Sequence, residues 1–360
     1  MYCSRCHREY DNSTAFCPAD GSRLLDECPV QDLDETPSTP AATVIAGRYR
    51  LGAMLGQGSM ARVYHAVDLT TRESVAVKVL SKHYAARDSE RIRFFREAKA
   101  ILQIQHPHVV KVIDAGRWTD GRPFIVIEYL KGESLGARLR RDKRLEPEVA
   151  LRLLRDAAAG LAAVHAAAIV HRDVKPDNIF LVGEPGAPSG VRLVDFGLAK
   201  LHSHHSSEAG TALGTAAYMP PEQVLSEKVD ARADVYALGV VLFRALTGHL
   251  PFEGEHNVDL LSHQVLLAAP PPSWFVEDLD PRIDRLVQRA MRKRPDNRYP
   301  SMAAMLTDMR TIIDDPDKPL AEAPPTVEPD VYTPTTRLGR DAALLFCRKL
   351  GVDPPAWPDP

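Results

Sequence analysis

The sequence lacks long apolar stretches and an excess of charge of either sign. Its longest apolar runs, such as residues 235–243, fall far short of the roughly 20 residues that a membrane-spanning helix requires. The 45 lysines and arginines nearly balance the 48 aspartates and glutamates, and a net charge of −3 gives no electrostatic reason to bind nucleic acid or anionic membranes. No charged-then-apolar signal sequence follows Met1. We therefore expect a soluble, cytoplasmic protein that binds neither nucleic acid nor membrane.

Cysteine is scarce over most of the chain, because four of the five cysteines fall within the first 28 residues. This distribution makes a poor disulfide framework and favours a metal site near the N-terminus. Residues 3–6 and 17–20 form two short knuckles of equal spacing, the arrangement of a small zinc ribbon. The predicted zinc ligands are Cys3, Cys6, Cys17 and Asp20, with His7 and Cys28 as alternatives for the fourth position.

Two other interpretations of this cysteine cluster stay open, namely reduced thiols without metal and a redox sensor. The segment has so few apolar residues that it could hardly fold without a metal ion. Its acidic residues outnumber its arginines, which disfavours nucleic-acid binding and leaves two alternatives, a protein partner or a role in capping the structure.

Composition divides the chain into four segments. Residues 1–28 are the zinc-ribbon-like module, and residues 29–47, rich in proline, threonine and acidic residues, are a linker. Residues 48–315 alternate strand-like and helix-like patterns and form the main domain. Residues 316–360 are proline-rich and expected to be mostly flexible, although 341–350 can form a short amphipathic helix.

Within the main domain, strand patterns precede helix patterns. Apolar runs at 49–55 and 61–68 flank a glycine-rich turn and predict a β-rich lobe. After Tyr129 the period becomes helical, and further helices are predicted at 234–246, ended by Gly248, and at 282–291. In the helical pattern that follows Tyr129, three- and four-residue spacings place six apolar residues on one stripe and predict that all of them are buried: Val149, Leu153, Leu154, Ala157, Leu161 and Val164.

The glycine-rich turn at residues 55–63 is suited to phosphate. Gly56 and Gly58 let backbone N–H groups approach phosphate oxygens where a side chain would collide, although the pattern is common in ordinary hairpins. The following strand presents Lys78, which either reaches phosphates or is a surface lysine. Glu97, on a predicted helix, either pairs with Lys78 or is a solvated charge. The combination favours the pairing.

Two polar motifs follow, HRDVKPDN at residues 171–178 and DFG at 195–197. They supply Asp173, Asn178 and Asp195, which can bring a magnesium nucleotide and a hydroxyl together. Phosphoryl transfer requires cations that neutralise the phosphates, a group that orients the hydroxyl, and a site closed to water. A lone aspartate or asparagine in a loop is usually a turn former, so the prediction depends on all these residues occurring in order.

In the order and spacing of these motifs, residues 48–315 resemble the serine/threonine protein kinases that are widespread in bacteria. The resemblance implies the α+β, bilobal protein-kinase fold, with a β-rich N-lobe and an α-rich C-lobe, here preceded by the zinc-ribbon-like module. It also implies ATP and Mg²⁺ as cofactors beside the expected Zn²⁺, and protein substrates as partners.

The resemblance assigns a role to each polar residue of the motifs. Asp173 is the catalytic base, and Lys175 neutralises the γ-phosphate at a position where tyrosine kinases carry a different loop. Asn178 and Asp195 are the magnesium ligands, with the hard oxygen donors that this ion requires. The remaining catalytic pair is Lys78 with Glu97.

For the nucleotide base, the resemblance places the last strand and the hinge at residues 124–130, with Ile127 as gatekeeper. Ala61 departs from the family pattern, which has a third glycine there. The residues expected to bind the nucleotide are Leu55, Gly56, Gly58, Val63, Ala76, Lys78, Glu128, Leu130 and Phe180.

The predicted activation loop spans residues 195–222. Its phosphosite candidates, ranked by position, are Thr211, Ser207 and Ser206. Thr215 is assigned to contact substrate and Asp173 instead. Arg172 leaves a buried positive cluster in this family, so phosphorylation of the loop is expected to raise activity.

The resemblance also implies two anchors beneath the site. Glu222 is expected to pair with Arg298, and Asp234 to accept hydrogen bonds from backbone N–H groups of the catalytic loop.

The sequence thus predicts an ATP-dependent serine/threonine protein kinase that phosphorylates its own activation loop, with dimerisation for this step left open. Two rival hypotheses are a pseudokinase scaffold and a zinc-dependent adaptor whose kinase lobe responds to a bound partner. The intact set of polar motif residues argues against the first rival.

Overall fold

The computed structural model describes residues 43–58, 60–196, 216–254 and 257–320. Within the helix at Asp88–Leu102, the side chains of Arg93, Arg96, Glu97 and Ala100 lie outside this description. Nowhere in these ranges is a helix both long enough and apolar enough to cross a membrane.

One antiparallel sheet forms most of the first lobe, residues 43–128. Apolar and β-branched residues dominate these segments, which favours strands. The strands are β1 (Val44–Ile45), β2 (Tyr49–Gln57), β3 (Ala61–Asp68), β4 (Ser74–Leu80), β5 (Val112–Arg117) and β6 (Pro123–Glu128). They are ordered β1-β2-β3-β4-β6-β5 across the sheet. Both strands predicted around the glycine-rich turn are confirmed, the first extending to Gln57.

The strand register brings the glycine-rich turn beside the lysine. Gly56 of β2 pairs with Val63 of β3, and Val63 in turn pairs with Lys78 of β4. Neighbouring strands lie about 4.8 Å apart, so Gly56 and Lys78 are separated by about 10 Å. β4 lies between β3 and β6 in the sheet, which holds the backbone of Lys78 on both sides.

Strand β4 is covered on both of its faces. Val75, Val77 and Val79 are buried in one apolar cluster with Tyr49 and other residues of the sheet. Ala76, which alternates with these valines, is buried as well. The strand predicted to present Lys78 is therefore confirmed, and as a central strand it is covered on both sides.

Two helices follow β4, a short α1 (Lys82–Ala85) and the longer α2 (Asp88–Leu102). Phe94, Ala98 and Ile101 recur at spacings of four and three residues and are all buried. This stripe packs α2 against β5 and β6.

The second lobe is mostly helical and begins with a three-stranded sheet, β7 (Gly132–Ser134), β8 (Ile179–Glu184) and β9 (Ala187–Leu193), ordered β7-β8-β9. Its helices in the described ranges are α3 (Leu135–Asp142), α4 (Pro147–Ala166), α5 (Pro221–Val224), α6 (Arg232–Thr247), α7 (Asn257–Leu266), α8 (Pro281–Ala290) and α9 (Met302–Asp314). Short 3₁₀ turns span Pro176–Asn178, Pro272–Trp274 and Pro295–Asn297.

Helix α6 lies at the centre of this lobe. Every residue of α6 except Arg232 and Arg244 is buried, as expected for a helix that is apolar on all sides. Helix α6 ends at Gly248, as predicted, with φ of 80°. It packs against α4, α8 and α9, which positions the loop that follows α4.

Five of the six residues in the predicted stripe of α4 are buried, with Leu153 the most exposed of them at 8%. Val149 is 39% exposed, so its predicted burial is wrong. It lies in the first turn of α4, and a helical period does not reveal how far along a helix the packing neighbours extend.

Gly132, at the start of β7, occupies a backbone position that a side chain cannot share. Its φ is 142°, and a Cβ built there would lie 1.9 Å from the carbonyl oxygen of Leu181. We expect Gly132→Ala to lower the free energy of unfolding by at least about 2 kcal/mol, from backbone strain and displacement of β8. Urea denaturation measures this loss.

Gly186→Ala is the matched control, since Gly186 has φ of 92° but a Cβ there meets nothing within 4 Å. Its cost should be confined to backbone strain, about 1 kcal/mol. Equal losses in the two variants would contradict the steric explanation.

Candidate active site

Asp234, at the start of α6, holds the backbone of the loop that follows α4. Its Oδ2 accepts a hydrogen bond from the N–H of His171, and its Oδ1 accepts one from the N–H of Arg172, both at 2.8 Å. His165 Nε2 lies 2.7 Å from Oδ2, and it carries the proton because an ionised carboxylate only accepts. The prediction for Asp234 is confirmed. His165 is a partner that sequence analysis missed, although its place near the end of α4 was a signal.

Two residues of the site have left-handed backbone conformations without being glycine. Arg172 has φ of 63° and Asp195 has φ of 52°. Such a conformation costs roughly 1–2 kcal/mol for an L-residue and persists only where its surroundings impose it. The hydrogen bond from the Arg172 N–H to Asp234 holds Arg172 in this conformation. Asp195 is held by the residue that follows it, Phe196, which is buried with its ring centroid 4.5 Å from that of His171. This strain was not predicted from the sequence.

The Asp173 carboxylate is oriented by two donors. Asn178 Nδ2 donates to Asp173 Oδ2 at 3.1 Å and to its backbone oxygen at 2.8 Å. Lys175 Nζ lies 3.1 Å from the same Oδ2. The Asp173 side chain is 11% exposed, so it reaches solvent while its direction is fixed. The structure therefore brings together Asp173, Lys175 and Asn178, as the sequence predicts.

Asp195 and Asn178 meet because of the β8–β9 hairpin. Ile179 of β8 pairs with Leu193 of β9, so their neighbours Asn178 and Val194 lie together at that end of the hairpin. There the Val194 N–H donates to the backbone oxygen of Asn178 at 3.0 Å. Asn178 Nδ2 also lies 3.4 Å from the backbone oxygen of Asp195. The two residues expected to bind magnesium are thus adjacent.

Lys78 and Asp195 form an ion pair across the two lobes. Lys78 Nζ lies 3.0 Å from Asp195 Oδ1. The charge of Lys78 is the main cause that holds the pKa of the Asp195 carboxyl below its usual value, so this group is ionised at neutral pH. The pair connects β4 with the end of β9 and was not predicted from the sequence.

The side chains of Asn178 and Asp195 fit a magnesium ion. An amide oxygen and a carboxylate are hard donors, and Mg²⁺ is commonly held by one or two such side chains together with phosphate oxygens and water. Because Asn178 Nδ2 donates to Asp173, its Oδ1 would be the atom available to a magnesium ion. Among the described residues, no group of three or more His, Cys, Asp and Glu side chains is arranged to hold a metal ion.

A cavity opens beside Asp173. Its lining includes Arg172, Asp173, Tyr218, Met219, Pro220 and Ala237. Burial raises the pKa of the Tyr218 hydroxyl to about 12, so it stays neutral. Gln223 Nε2 donates to the Arg172 backbone oxygen at 3.3 Å, a contact that sequence analysis missed. The catalytic loop and residues 218–220 therefore each form part of the cavity wall, together with residues of α6.

The residues expected to bind the nucleotide come from strands of both lobes and from the segment that follows β6. The Gly58 N–H donates to the Ala61 oxygen at 2.9 Å and closes the glycine-rich turn. The Glu128 N–H donates to the Lys111 oxygen at 3.0 Å. Leu55 is exposed, and the other expected residues occupy these positions: Gly56 in β2, Val63 in β3, Ala76 in β4, Leu130 after β6 and Phe180 in β8.

Glu222 and Arg298 form a buried ion pair with two parallel hydrogen bonds. Arg298 Nη1 donates to Glu222 Oε1 at 2.7 Å, and Nη2 donates to Oε2 at 2.8 Å. The exposures are 2% for Glu222 and 1% for Arg298. This predicted anchor of the loop's end is confirmed.

Several predicted residues lie outside the described residues. They are the zinc ligands Cys3, Cys6, Cys17 and Asp20, the phosphosite candidates Thr211, Ser207 and Ser206, and the side chain of Glu97, whose backbone lies in α2. The proposed pairing of Glu97 with Lys78 therefore stays a prediction.

The family model for the protein kinase domain matches residues 49–309. The chain belongs to the protein kinase family. This kinase is 38% identical over 313 residues to serine/threonine-protein kinase Pkn1 of Myxococcus xanthus, a match that covers 84% of this chain and 44% of Pkn1. It is 38% identical over 270 residues to serine/threonine-protein kinase PknB of Mycobacterium leprae, which covers 74% of this chain and 43% of PknB. The kinase thus matches less than half the length of these two relatives.

Solved structures agree with the bilobal fold. The kinase domain of Mycobacterium tuberculosis PknI superimposes with a TM-score of 0.60 at 28% sequence identity, over 75% of this chain and 98% of that domain. The kinase has the protein-kinase fold, with a β-sheet N-lobe and a helical C-lobe.

Proposed function

We propose that this kinase transfers the γ-phosphoryl group of ATP to serine and threonine hydroxyls of proteins. The observation that carries the proposal is the convergence of Lys78, Asp195, Asn178 and Asp173 through contacts of 3.0–3.4 Å, one of which joins residues 117 positions apart. A pseudokinase scaffold has no need to keep all four groups in contact.

Asp173 is the base that accepts a hydrogen bond from the substrate hydroxyl. Its carboxylate is oriented by Asn178 and lines the small cavity beside residues 218–220. Lys175, 3.1 Å away, supplies positive charge next to the position of the transferred phosphoryl group. This lysine favours serine or threonine as acceptors over tyrosine.

Asn178 and Asp195 would hold Mg²⁺, which when bound neutralises charge on the phosphates. Lys78 adds a fixed ammonium from the opposite lobe. Asp195 stays ionised because of that lysine, so it is ready to bind a cation at neutral pH.

Phosphorylation of the activation loop at Thr211, Ser207 or Ser206 would raise activity. Burial lowers the pKa of Arg172, and among the described residues its Nε is buried without a hydrogen-bond partner. A phosphate group would supply the missing acceptor.

The N-terminal module remains a proposal based on its sequence. Cys3, Cys6, Cys17 and Asp20 would bind one zinc ion, and the module would bind a protein partner. We also propose that the kinase acts in the cytoplasm. Measuring zinc per chain before and after removal of residues 1–42 tests the metal site.

The acceptor class is tested by incubating the purified kinase with γ-labelled ATP, Mg²⁺ and a mixture of protein substrates, followed by identification of the labelled amino acids. We expect phosphoserine and phosphothreonine, and none from a Lys78→Met variant. Label on tyrosine alone, or label that persists in the variant, would contradict the proposal.

A further inference from the structure

A buried glutamine holds the backbone that forms one wall of the cavity beside Asp173. Gln264, in α7, is 0% exposed, and its Nε2 donates to the backbone oxygen of Ala217 at 2.5 Å. Ala217 is itself buried and directly precedes residues 218–220, which line the cavity. A buried carbonyl is costly to leave without a donor, so this bond fixes the position of the wall.

Two further side chains set the orientation of the Gln264 amide. Tyr236 Oη donates to Gln264 Oε1 at 2.5 Å, and Lys293 Nζ donates to Tyr236 Oη at 3.4 Å. An ammonium only donates, so the tyrosine hydroxyl accepts from the lysine and gives its own proton to the glutamine. The NH₂ group of Gln264 must then face Ala217. The three side chains form one directed chain of hydrogen bonds.

Lys293 also holds the end of the helix that carries Gln264. Its Nζ donates to the backbone oxygen of Gln264 at 2.8 Å and lies 3.4 Å from that of His263. The Phe252 ring lies 4.1 Å from the ammonium. A cation near the last carbonyls of a helix is favourable. Helix α7 is therefore fixed at the turn from which Gln264 reaches Ala217.

Tyr236 contacts both anchors of the segment 217–222. The Tyr236 hydroxyl donates a hydrogen bond to Gln264. The Tyr236 ring centroid lies 5.0 Å from the Cζ of Arg298, which is the partner of Glu222. The segment is thus held at Ala217 and at Glu222 by groups that meet at one tyrosine. Residues 218–220, which lie between these two points, line the cavity.

We propose that Gln264 is a positioning residue for the protein substrate, a role that rests on the proposed kinase function. By holding the Ala217 carbonyl, it sets the backbone of residues 217–220 against which the substrate chain next to the acceptor hydroxyl binds. It touches neither the nucleotide residues nor Asp173. Its loss therefore weakens binding of the peptide substrate and leaves binding of ATP unchanged.

Gln264→Glu tests this role at nearly constant volume. The ionised glutamate still accepts from Tyr236 but cannot donate to the Ala217 oxygen. Gln264→Met, which has a similar volume and no N–H or O–H to donate in any protonation state, is measured beside it with the same expected outcome. We expect KM for a serine peptide to rise about tenfold, the effect of leaving one buried carbonyl without its donor, while KM for ATP stays within about twofold. Amide hydrogen exchange at Ala217, Tyr218 and Met219 should become faster in the full chain, without any need for catalysis.

Ser262→Ala is the matched control. Ser262 is a buried polar residue of the same helix, but its hydroxyl donates within α7, to the Val258 oxygen. This variant should keep both KM values and the exchange rates of residues 217–219. Tyr236→Phe, which removes the donor to Gln264 and keeps the ring, should raise the peptide KM in the same direction by a smaller factor.

Unchanged exchange and an unchanged peptide KM in Gln264→Glu would overturn the inference while the kinase function stood. A parallel rise of KM for ATP would also overturn it, because a general structural defect does not distinguish the substrates. A wild-type chain that transfers no phosphoryl group would contradict the proposed function, and with it the substrate role of Gln264.

Discussion

Asp195→Asn should lower the rate of phosphoryl transfer about 10³-fold, corresponding to about 4 kcal/mol of lost stabilisation of the transition state. The substitution removes the charge of a proposed magnesium ligand and also that of the partner of Lys78 at 3.0 Å. Asparagine has nearly the same size as aspartate, and it tolerates the left-handed backbone conformation that residue 195 adopts. Steady-state transfer of labelled phosphate to a serine peptide measures the effect.

Asp177→Asn is the matched control for this prediction. Asp177 lies in the same turn as Asn178 and pairs with Arg140, but both side chains are more than half exposed. Exposed ion pairs contribute little, so the transfer rate should stay within about twofold of the wild type. A rate for Asp195→Asn as high as that of this control would remove Asp195 from the site.

Arg298→Met should lower the free energy of unfolding by about 3–5 kcal/mol, because it leaves the Glu222 carboxylate buried without its partner. Arg298 also donates to the backbone oxygens of Arg292, Arg232 and Lys293, and the substitution removes these three hydrogen bonds as well. Denaturant unfolding followed by circular dichroism measures the loss. The end of the activation loop should become susceptible to proteolysis in parallel.

An exposed ion pair provides the comparison. Arg152 and Glu148 are paired on the surface of α4, with side-chain exposures of 53% and 71%. Arg152→Met should cost less than about 0.5 kcal/mol. Similar losses in the two variants would show that burial does not decide the strength of the Glu222–Arg298 pair.

Much of the site follows from the sequence because its motifs carry fixed spacing. Asp173, Lys175 and Asn178 lie within six residues of one another, so a single loop determines their contacts. The Glu222–Arg298 pair and the role of Asp234 were predicted from the family pattern and are confirmed by hydrogen bonds of 2.7–2.8 Å.

What the sequence did not reveal depends on packing between distant elements. The Lys78–Asp195 contact joins residues 117 positions apart, and the Gln264–Ala217 bond requires α7 to pack against a turn 47 positions earlier in the chain. The left-handed conformation of Arg172 has no signature in its residue type, since it is imposed by Asp234. Val149 is exposed for a similar reason, because a helical period in the sequence identifies one face of a helix but not which neighbouring elements cover it.

The catalytic role of Asp173 is tested most directly by single-turnover transfer from labelled ATP in Asp173→Asn, measured beside the affinity for ATP. The asparagine oxygen still accepts from Asn178 and Lys175, so the loop should keep its structure. We expect the rate of phosphoryl transfer in this variant to fall about 10³-fold while its Kd for ATP stays within about twofold of the wild-type value. Transfer at the wild-type rate in this variant would contradict the catalytic role of Asp173.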